Sequence, residues 1–537
     1  MGIASALFAL AAAAIVAVWS WLGASVAMPP SPFAAGQKLY CVSYAPFRGD
    51  QSPLGPDVPI DPRQIEADLA QLKAITDCVR TYAVDHGLDQ IPEIARRHGM
   101  KVLQGVWVSN QPEKTRQQID RAIALTKDYP DVIAGLIVGN EVLLRGEMSP
   151  VELARTIREI KAQVAVPVTY ADVWEFWLRY RELAGVVDFV TIHILPYWED
   201  FPIPAPEAAR HVDAIRKRVA AAFPDKEIVV GEFGWPSAGR MREGALPAPV
   251  VQARVMHEVL ALAAHEGYRV NLIEAYDQPW KRQFEGTVGG HWGLFDAYRR
   301  EAKFSWGGTV SDHPRWRWQA AGGVALAAAI LAAAFAARRR TGAGADAVLW
   351  LRVAGIAVIA GTLIGWTIAA VPLESLTVGD WLRTCTWALV ALLLPIVGAA
   401  ALAAKTSTPS FAEVLGRRDV RPRDRLALAL GVLLVVLGVL AVQAALGLTF
   451  DPRYRDFPFA PLTGAVAPLL FGSGEWTWGR IWRPKAPAAE TAMAATLAAA
   501  AIYVVFNESF ANWQALWFAA GLIALALTLL QAQAAPG

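Results

Sequence analysis

Two glutamates stand out for where they fall. Residues 228–236 read IVVGEFGWP: an apolar run, a glycine, Glu232, an aromatic, a second glycine, Trp235 and Pro236. An apolar run punctuated by Gly and Pro reads as a buried strand. Ending such a strand on a carboxylate is costly unless the carboxylate opens onto a polar cleft. Residues 133–141, IAGLIVGNE, repeat the pattern and close on Asn140 and Glu141. Two carboxylates in unlike surroundings can divide acid–base from nucleophilic work. One stays protonated and donates to a leaving oxygen, while the other, ionised, attacks carbon or activates water. Opposed carboxylates flanked by aromatics are what cleavage of a glycosidic bond requires.

Something must hold the pair face to face. Short apolar runs recur at 39–47, 79–84, 101–108, 133–141, 167–173, 187–197, 227–235 and 270–278. Most are followed by amphipathic stretches, such as 61–76, 113–128, 149–164 and 247–267, which open at or just after Asp, Ser or Pro and repeat every 3.6 residues. Eight alternations of strand and helix predict a (β/α)8 TIM barrel. A doubly wound open sheet is the alternative, but no glycine-rich phosphate turn follows the first strand. Glu141 then ends the fourth strand and Glu232 the seventh, opposite each other across the barrel mouth. The other strand ends carry Tyr44, Arg80 with Tyr82, Gln104 with Trp107, Tyr170 with Asp172, His193 with Tyr197, and Glu274 with Asp277. Polar residues at these ends are the usual active-site material of such barrels. Trp107, Trp174, Trp177, Trp198, Trp235, Trp280 and Trp292 offer flat faces for sugar rings or, equally, loop packing. Glu147 reads as a loop or cap residue, Asp188 as an acceptor for backbone N–H groups, and His193 as a core histidine or a substrate contact. No His/Cys/Asp spacing suggests a metal site, and the chemistry needs no cofactor.

The chain has 537 residues, 18% of them charged and 55% apolar, with a net charge of +2. That charge gives no electrostatic case for nucleic acid. The bias toward apolar residues is regional. The expected layout is an N-terminal transmembrane anchor (or signal peptide) over 1–30, a catalytic barrel over 36–305, a juxtamembrane linker over 306–317 and an all-α, multi-span transmembrane domain over 318–537. Residues 3–27 are long and apolar enough to span a bilayer and lack the basic start of a signal peptide, which favours an uncleaved anchor. Further apolar runs lie near 318–336, 348–372, 382–404, 425–448, 489–507 and 512–531, with a shorter one at 459–472. Arg338, Arg339 and Arg340 follow one run; Lys405, Arg417, Arg418, Arg421, Arg423 and Arg425 crowd another connection, whereas Glu374 and Asp380 flank the intervening one. The positive-inside rule makes the basic connections cytoplasmic and residues 28–317 external. Arg480, Arg483 and Lys485 join them only if 459–472 crosses. The centres of the spans carry essentially no charge, which reads as an anchor or docking platform and not a transporter. Cys385 lies in an apolar run; Cys41 and Cys78 read first as two buried thiols, with a disulfide as the alternative outside the cytosol.

The motifs GNEV (139–142), GEFGWPS (231–237), VRTY (79–82) and IEAYDQPWK (273–281) resemble glycoside hydrolase family 17 over about residues 38–300. That family comprises (β/α)8 β-1,3-glucanases and glucanosyltransferases, and its bacterial membrane-anchored members are linked to β-1,3/β-1,6-glucan synthesis. The resemblance implies a retaining mechanism with Glu141 as general acid/base and Glu232 as nucleophile. By the same resemblance Asn140 would bond the sugar 2-hydroxyl, Glu274 and Lys281 would support the nucleophile, and Tyr82 and Tyr197 would face substrate. Tyr44, Arg80 and Trp235 complete the residues expected to bind it. Where relatives usually carry an acidic residue after AYD or AFD, this chain has Gln278, which removes a supporting carboxylate there. The implied partners are β-glucan, the lipid bilayer and glucan synthesis or export machinery. The implied location is a bacterial inner membrane with the barrel in the periplasm. Three functions follow for comparison: a β-1,3-glucan transglycosylase or endo-β-1,3-glucanase, a non-catalytic glucan-binding component of an export complex, and a glycan transporter with an accessory barrel.

Overall fold

The computed structural model describes residues 2–56, 58–299, 301–342, 346–416, 422, 424–472 and 488–531. The chain forms two compact units. One comprises Val26–Ala238 and Gly244–Val310; the other comprises Met1–Ser25, Gly239–Glu243 and Ser311–Gly537.

In the first unit eight parallel strands close into a barrel: β1 (Cys41–Ser43), β2 (Cys78–Arg80), β3 (Lys101–Val106), β4 (Ile133–Asn140), β5 (Val168–Val173), β6 (Val190–His193), β7 (Ile228–Phe233) and β8 (Val270–Leu272). β1 pairs with β2 on one side and β8 on the other, which leaves no free edge. The strands follow the expected apolar runs because both faces are buried, one by the barrel interior and one by helices. Helices Pro62–Leu72, Pro112–Asp128, Pro150–Lys161 and Pro249–Glu266 each start on proline, whose missing N–H is not needed in a first turn. Asp61 caps the first of these through Arg63 N, and Ser149 with Glu152 forms a capping box on the third. Val26–Ala27 pairs antiparallel with Thr309–Val310, tying together the two ends of the unit.

The expectation of two buried thiols is corrected here. Cys41 and Cys78 form a disulfide. The register that sets Val42 beside Val79 brings the preceding cysteines of β1 and β2 to a Cα separation of 4.5 Å, within bridging range.

The second unit is helical. Gly2–Leu22, Trp316–Thr341, Ala347–Glu374, Val378–Ala404, Arg425–Phe450, Ala488–Glu508 and Trp513–Gln531 are its long helices. Among the described residues, seven helices are long and apolar enough to cross a membrane, which marks the chain as membrane-associated. Phe459–Gly472 is shorter than a full span. Small residues set the packing: a Cβ at Gly323 would lie 2.2 Å from Gly361 O, and one at Gly361 would lie 2.6 Å from Ile15 Cδ1. Backbone approach of this kind is how apolar helices associate where lipid leaves little hydrophobic drive. Arg338, Arg339 and Arg340 occupy the last turn of Trp316–Thr341. Arg417, Arg418, Arg421, Arg423, Arg480, Arg483 and Lys485 lie outside the described residues.

Candidate active site

Glu232 projects from β7 with a side chain only 6% exposed. Its Oε1 accepts from Arg80 Nη1 at 2.9 Å and from Tyr82 OH at 2.8 Å, with His193 Nε2 at 3.6 Å. A buried carboxylate needs such partners. Burial pushes the Glu232 carboxyl up, and the Arg80 guanidinium, the Tyr82 bond and the Lys281 charge pull it down. Tyr82 OH also lies 2.9 Å from Ser43 Oγ, which in turn is 2.8 Å from Asn271 Nδ2. A carboxylate only accepts, so the phenol donates to Glu232 and accepts from Ser43. Burial first, then the Glu232 charge, holds that phenol well above its ordinary value.

The β4 end is built differently. Gly139 has φ +86° and Glu141 φ +53°, so two left-handed residues bracket Asn140. Glycine adopts that region freely, whereas for glutamate it is uncommon and must be held by its surroundings. The β4–β5 register shifts between Ile137 and Asn140, a bulge of the kind that re-aims side chains at a strand end. Arg145 donates to the Asn140 carbonyl and, at 3.1 Å, to the Val108 carbonyl, with its guanidinium 4.4 Å from the Trp107 ring centre. Tyr170 OH accepts from Leu143 N at 3.0 Å and donates to buried Asp172. Burial chiefly, with the Glu141 charge adding and the Tyr170 bond opposing, pushes the Asp172 carboxyl up to about 6. Glu141 itself is 22% exposed and is held through Oε1 by His193 Nδ1 at 2.7 Å.

Arg80 joins the two ends. It also donates to Asn140 Oδ1 at 2.5 Å and Gly231 O at 2.7 Å, and lies 3.4 Å from His193 Nε2. One atom each from Glu141, His193 and Glu232 fall within 4.8 Å of one another. Such a cluster has the donor set for a cation, and the Arg80 guanidinium supplies positive charge on the spot. With one oxygen of each glutamate inside that 4.8 Å distance, little room is left between the two carboxylates for an additional water.

Other expected residues divide sharply. Lys281 Nζ reaches Glu274 Oε2 at 2.9 Å, and burial carries the Glu274 carboxyl up to about 7 against the pull of Lys281. Gln278 donates to Ala45 O at 3.0 Å and accepts from Trp280 Nε1 at 2.8 Å, so its amide fixes a loop. Tyr44 is not brought to the carboxylates: its hydroxyl donates to Asp68 at 2.9 Å in a buried network with Arg299. Trp235 has no exposed face and donates to Leu246 O at 2.9 Å. Tyr197 is equally buried, its ring 5.0 to 6.2 Å from Trp198, Trp292 and Trp235. Alternation along a strand does not tell these aromatics which side of the barrel wall they meet. Trp177 and Trp292 are likewise buried, while Trp107 and Trp280 are partly exposed. Gln104 donates to Thr81 Oγ1 at 2.8 Å inside the barrel. Asp277 pairs with Lys303 at 2.6 Å. Asp188 accepts from Val168 N at 2.7 Å, and Glu147 pairs with Arg145 at 3.1 Å.

Sequence reasoning missed Ser43, Asn271 and Arg145. Ser43 and Asn271 lie inside short apolar runs, where a lone small polar residue is an ambiguous signal. Arg145 carried a clearer one, being a long cation four residues after Glu141.

The BtgE/BtgC glycoside hydrolase domain family matches residues 41–293. The chain is 30% identical over 263 residues to a glucan 1,3-beta-glucosidase of Arthroderma benhamiae, covering 45% of this chain and 83% of that protein. A glucan 1,3-beta-glucosidase of Saccharomyces cerevisiae is 25% identical over 252 residues, 43% of this chain and 80% of that protein. Of a probable glucan endo-1,3-beta-glucosidase of Aspergillus clavatus, 26% identical, the chain spans 41% of the length. A family 17 β-1,3-glucanosyltransferase structure from Rhizomucor miehei aligns over 50% of this chain and 97% of its own, at 24% identity and a TM-score of 0.44. Matched over most of the length of its Arthroderma relative, the chain belongs to the family 17-like BtgE/BtgC glycoside hydrolases, enzymes of O-glycosyl hydrolysis or transfer.

Proposed function

We propose that the barrel cleaves β-1,3-glucan by a two-step retaining mechanism and passes the glycosyl group to a second sugar. The observation that carries this is the close approach of two carboxylates in opposite surroundings. Glu232, wrapped by Arg80 and Tyr82, suits an ionised nucleophile. Both of those contacts use Oε1, which leaves Oε2 to attack. Glu141, more open and facing the cleft, suits the acid/base. In the first step the C1–O bond breaks, a bond from Glu232 to C1 forms, and the Glu141 proton goes to the leaving oxygen. In the second, an acceptor hydroxyl loses its proton to Glu141 as its oxygen displaces Glu232 from C1. Arg80 donates to Asn140 Oδ1, so Asn140 Nδ2 is the end free to meet the sugar 2-hydroxyl. Lys281, tied to Glu274, adds positive charge on the nucleophile side.

Location favours transfer over hydrolysis. The basic connections argue for residues 28–317 outside the cytoplasm, as for the outer face of a bacterial inner membrane. The Cys41–Cys78 disulfide supports an oxidising compartment. No nucleotide-sugar pool exists there, and transfer conserves the energy of the cleaved linkage. A β-1,6 linkage formed on glucan emerging from export machinery is the product this setting favours. The test is to incubate the full-length protein with a defined laminari-oligosaccharide and determine product sizes and linkages. Longer or β-1,6-branched products support transfer. Exclusively shorter products with unchanged linkage make it an endo-β-1,3-glucanase, and unaltered substrate makes it a glucan-binding component.

A further inference from the structure

His193, at the end of β6, is buried and stands between the carboxylates. Its Nδ1 is 2.7 Å from Glu141 Oε1, and its Nε2 is 3.6 Å from Glu232 Oε1. The same Nε2 lies 3.4 Å from Arg80 Nη2. Guanidinium nitrogens only donate, so a ring nitrogen facing one is the unprotonated nitrogen. The proton of a neutral imidazole then sits on Nδ1, where it is donated to Glu141. The charged and titratable groups around the ring are Arg80 from β2, Glu141 from the end of β4, Asp172 from β5 and Glu232 from β7. Of these, Arg80 is the group that selects the tautomer, and it does so while also bonding Glu232 and Asn140.

Resting on the retaining reading above, we propose that His193 is a positioning residue that works through Glu141. Held by Arg80 in the Nδ1–H tautomer, it fixes Glu141 by Oε1 and reserves Oε2 for the transferred proton. In the first step the Oε2 proton leaves for the departing oxygen, and the new carboxylate charge meets an N–H bond already in place. Nothing need reorganise at that moment, which is where preorganised donors gain their effect. In the second step the acceptor proton arrives at Oε2 and the same bond weakens again. A cationic imidazole would serve less well, because it would hold Glu141 ionised before the first step.

The test uses the full-length protein, its His193→Ala and His193→Asn variants, and two substrates. A laminari-oligosaccharide needs its leaving oxygen protonated; a 2,4-dinitrophenyl β-laminaribioside does not. For His193→Ala, kcat/KM on the oligosaccharide should fall about 10- to 100-fold, and on the dinitrophenyl substrate less than about threefold. The alkaline limb of the oligosaccharide profile should move up by about one pH unit, since Glu141 loses a donor to its charged form. His193→Asn, which keeps an N–H donor, should recover most of the loss. Equal losses on both substrates, or an unmoved alkaline limb, would overturn the proposal. If His193→Ala does not fold, 15N NMR of histidine-labelled protein decides: Nδ1 protonated supports it, Nε2 protonated contradicts it. Failure of the retaining reading is separable, because the unaltered protein would then turn over the dinitrophenyl substrate without forming a glycosyl ester on Glu232.

Discussion

The two sides of the barrel mouth use the same side chain and treat it in opposite ways. At the β7 end Glu232 is buried, lies within the strand and accepts from a guanidinium and a phenol. At the β4 end Glu141 is open to the cleft, rests on a left-handed backbone, and is held by one imidazole. A nucleophile must stay charged and still, whereas an acid/base must pass its proton to the leaving oxygen and take one from the acceptor. On the proposed mechanism the roles are set by what surrounds each carboxylate, since the residues are identical.

The harshest way to break the comparison is to neutralise each carboxylate in turn. Glu232→Gln should lower kcat on any glucan substrate by more than about 10^4-fold, with no rescue by leaving-group activation. Glu141→Gln should lose about 10^2- to 10^4-fold on oligosaccharides. It should regain rate on a dinitrophenyl glycoside, with azide yielding a β-glycosyl azide. Matching behaviour of the two variants on both substrates would remove the assigned asymmetry.

A smaller effect concerns Glu274, the partner of Lys281. Glu274 is raised from 4.5 to about 7, chiefly by burial. A carboxyl raised on folding contributes stability that is complete below its unfolded value and is lost as pH climbs through the folded one. From pH 4.5 to 7 the loss is about 3 kcal/mol. Thermal or denaturant unfolding of Glu274→Gln across that window should therefore show a flatter pH dependence than the parent. An identical slope would mean that burial does not raise the Glu274 carboxyl. The smallest effect sharpens the boundary of the site. Tyr44→Phe removes one buried hydrogen bond to Asp68 and should cost about 1 to 2 kcal/mol of stability. Its kcat/KM should stay within about twofold. A selective loss of activity there would return Tyr44 to the cleft.

Much of this was legible before the fold was known. Runs such as IAGLIVGNE and IVVGEFGWP announce a buried strand and then break the pattern with a carboxylate, and strand counting sets the two opposite each other. Arg80, Tyr82 and Asn140 fell at the same rim for the same reason: Arg80 and Tyr82 bond Glu232, and Asn140 accepts from Arg80. What strand position cannot supply is the direction of an aromatic beyond the strand end. Trp235 and Tyr197 turn into packing, and Tyr44 turns toward Asp68 and Arg299, which are distant in sequence. The Cys41–Cys78 bridge depended on the register of β1 and β2, a quantity that two short apolar runs do not encode. His193 looked like a core histidine and is buried like one, but its partner is Glu141.

Covalent trapping bears most directly on the central claim. Full-length protein treated with a 2-deoxy-2-fluoro-β-laminaribiosyl fluoride, digested and analysed by mass spectrometry, should carry one glycosyl group on the peptide containing Glu232, and NMR of the first-formed product should show a retained anomer. A label on Glu141, or no label together with an inverted product, would contradict the assignment.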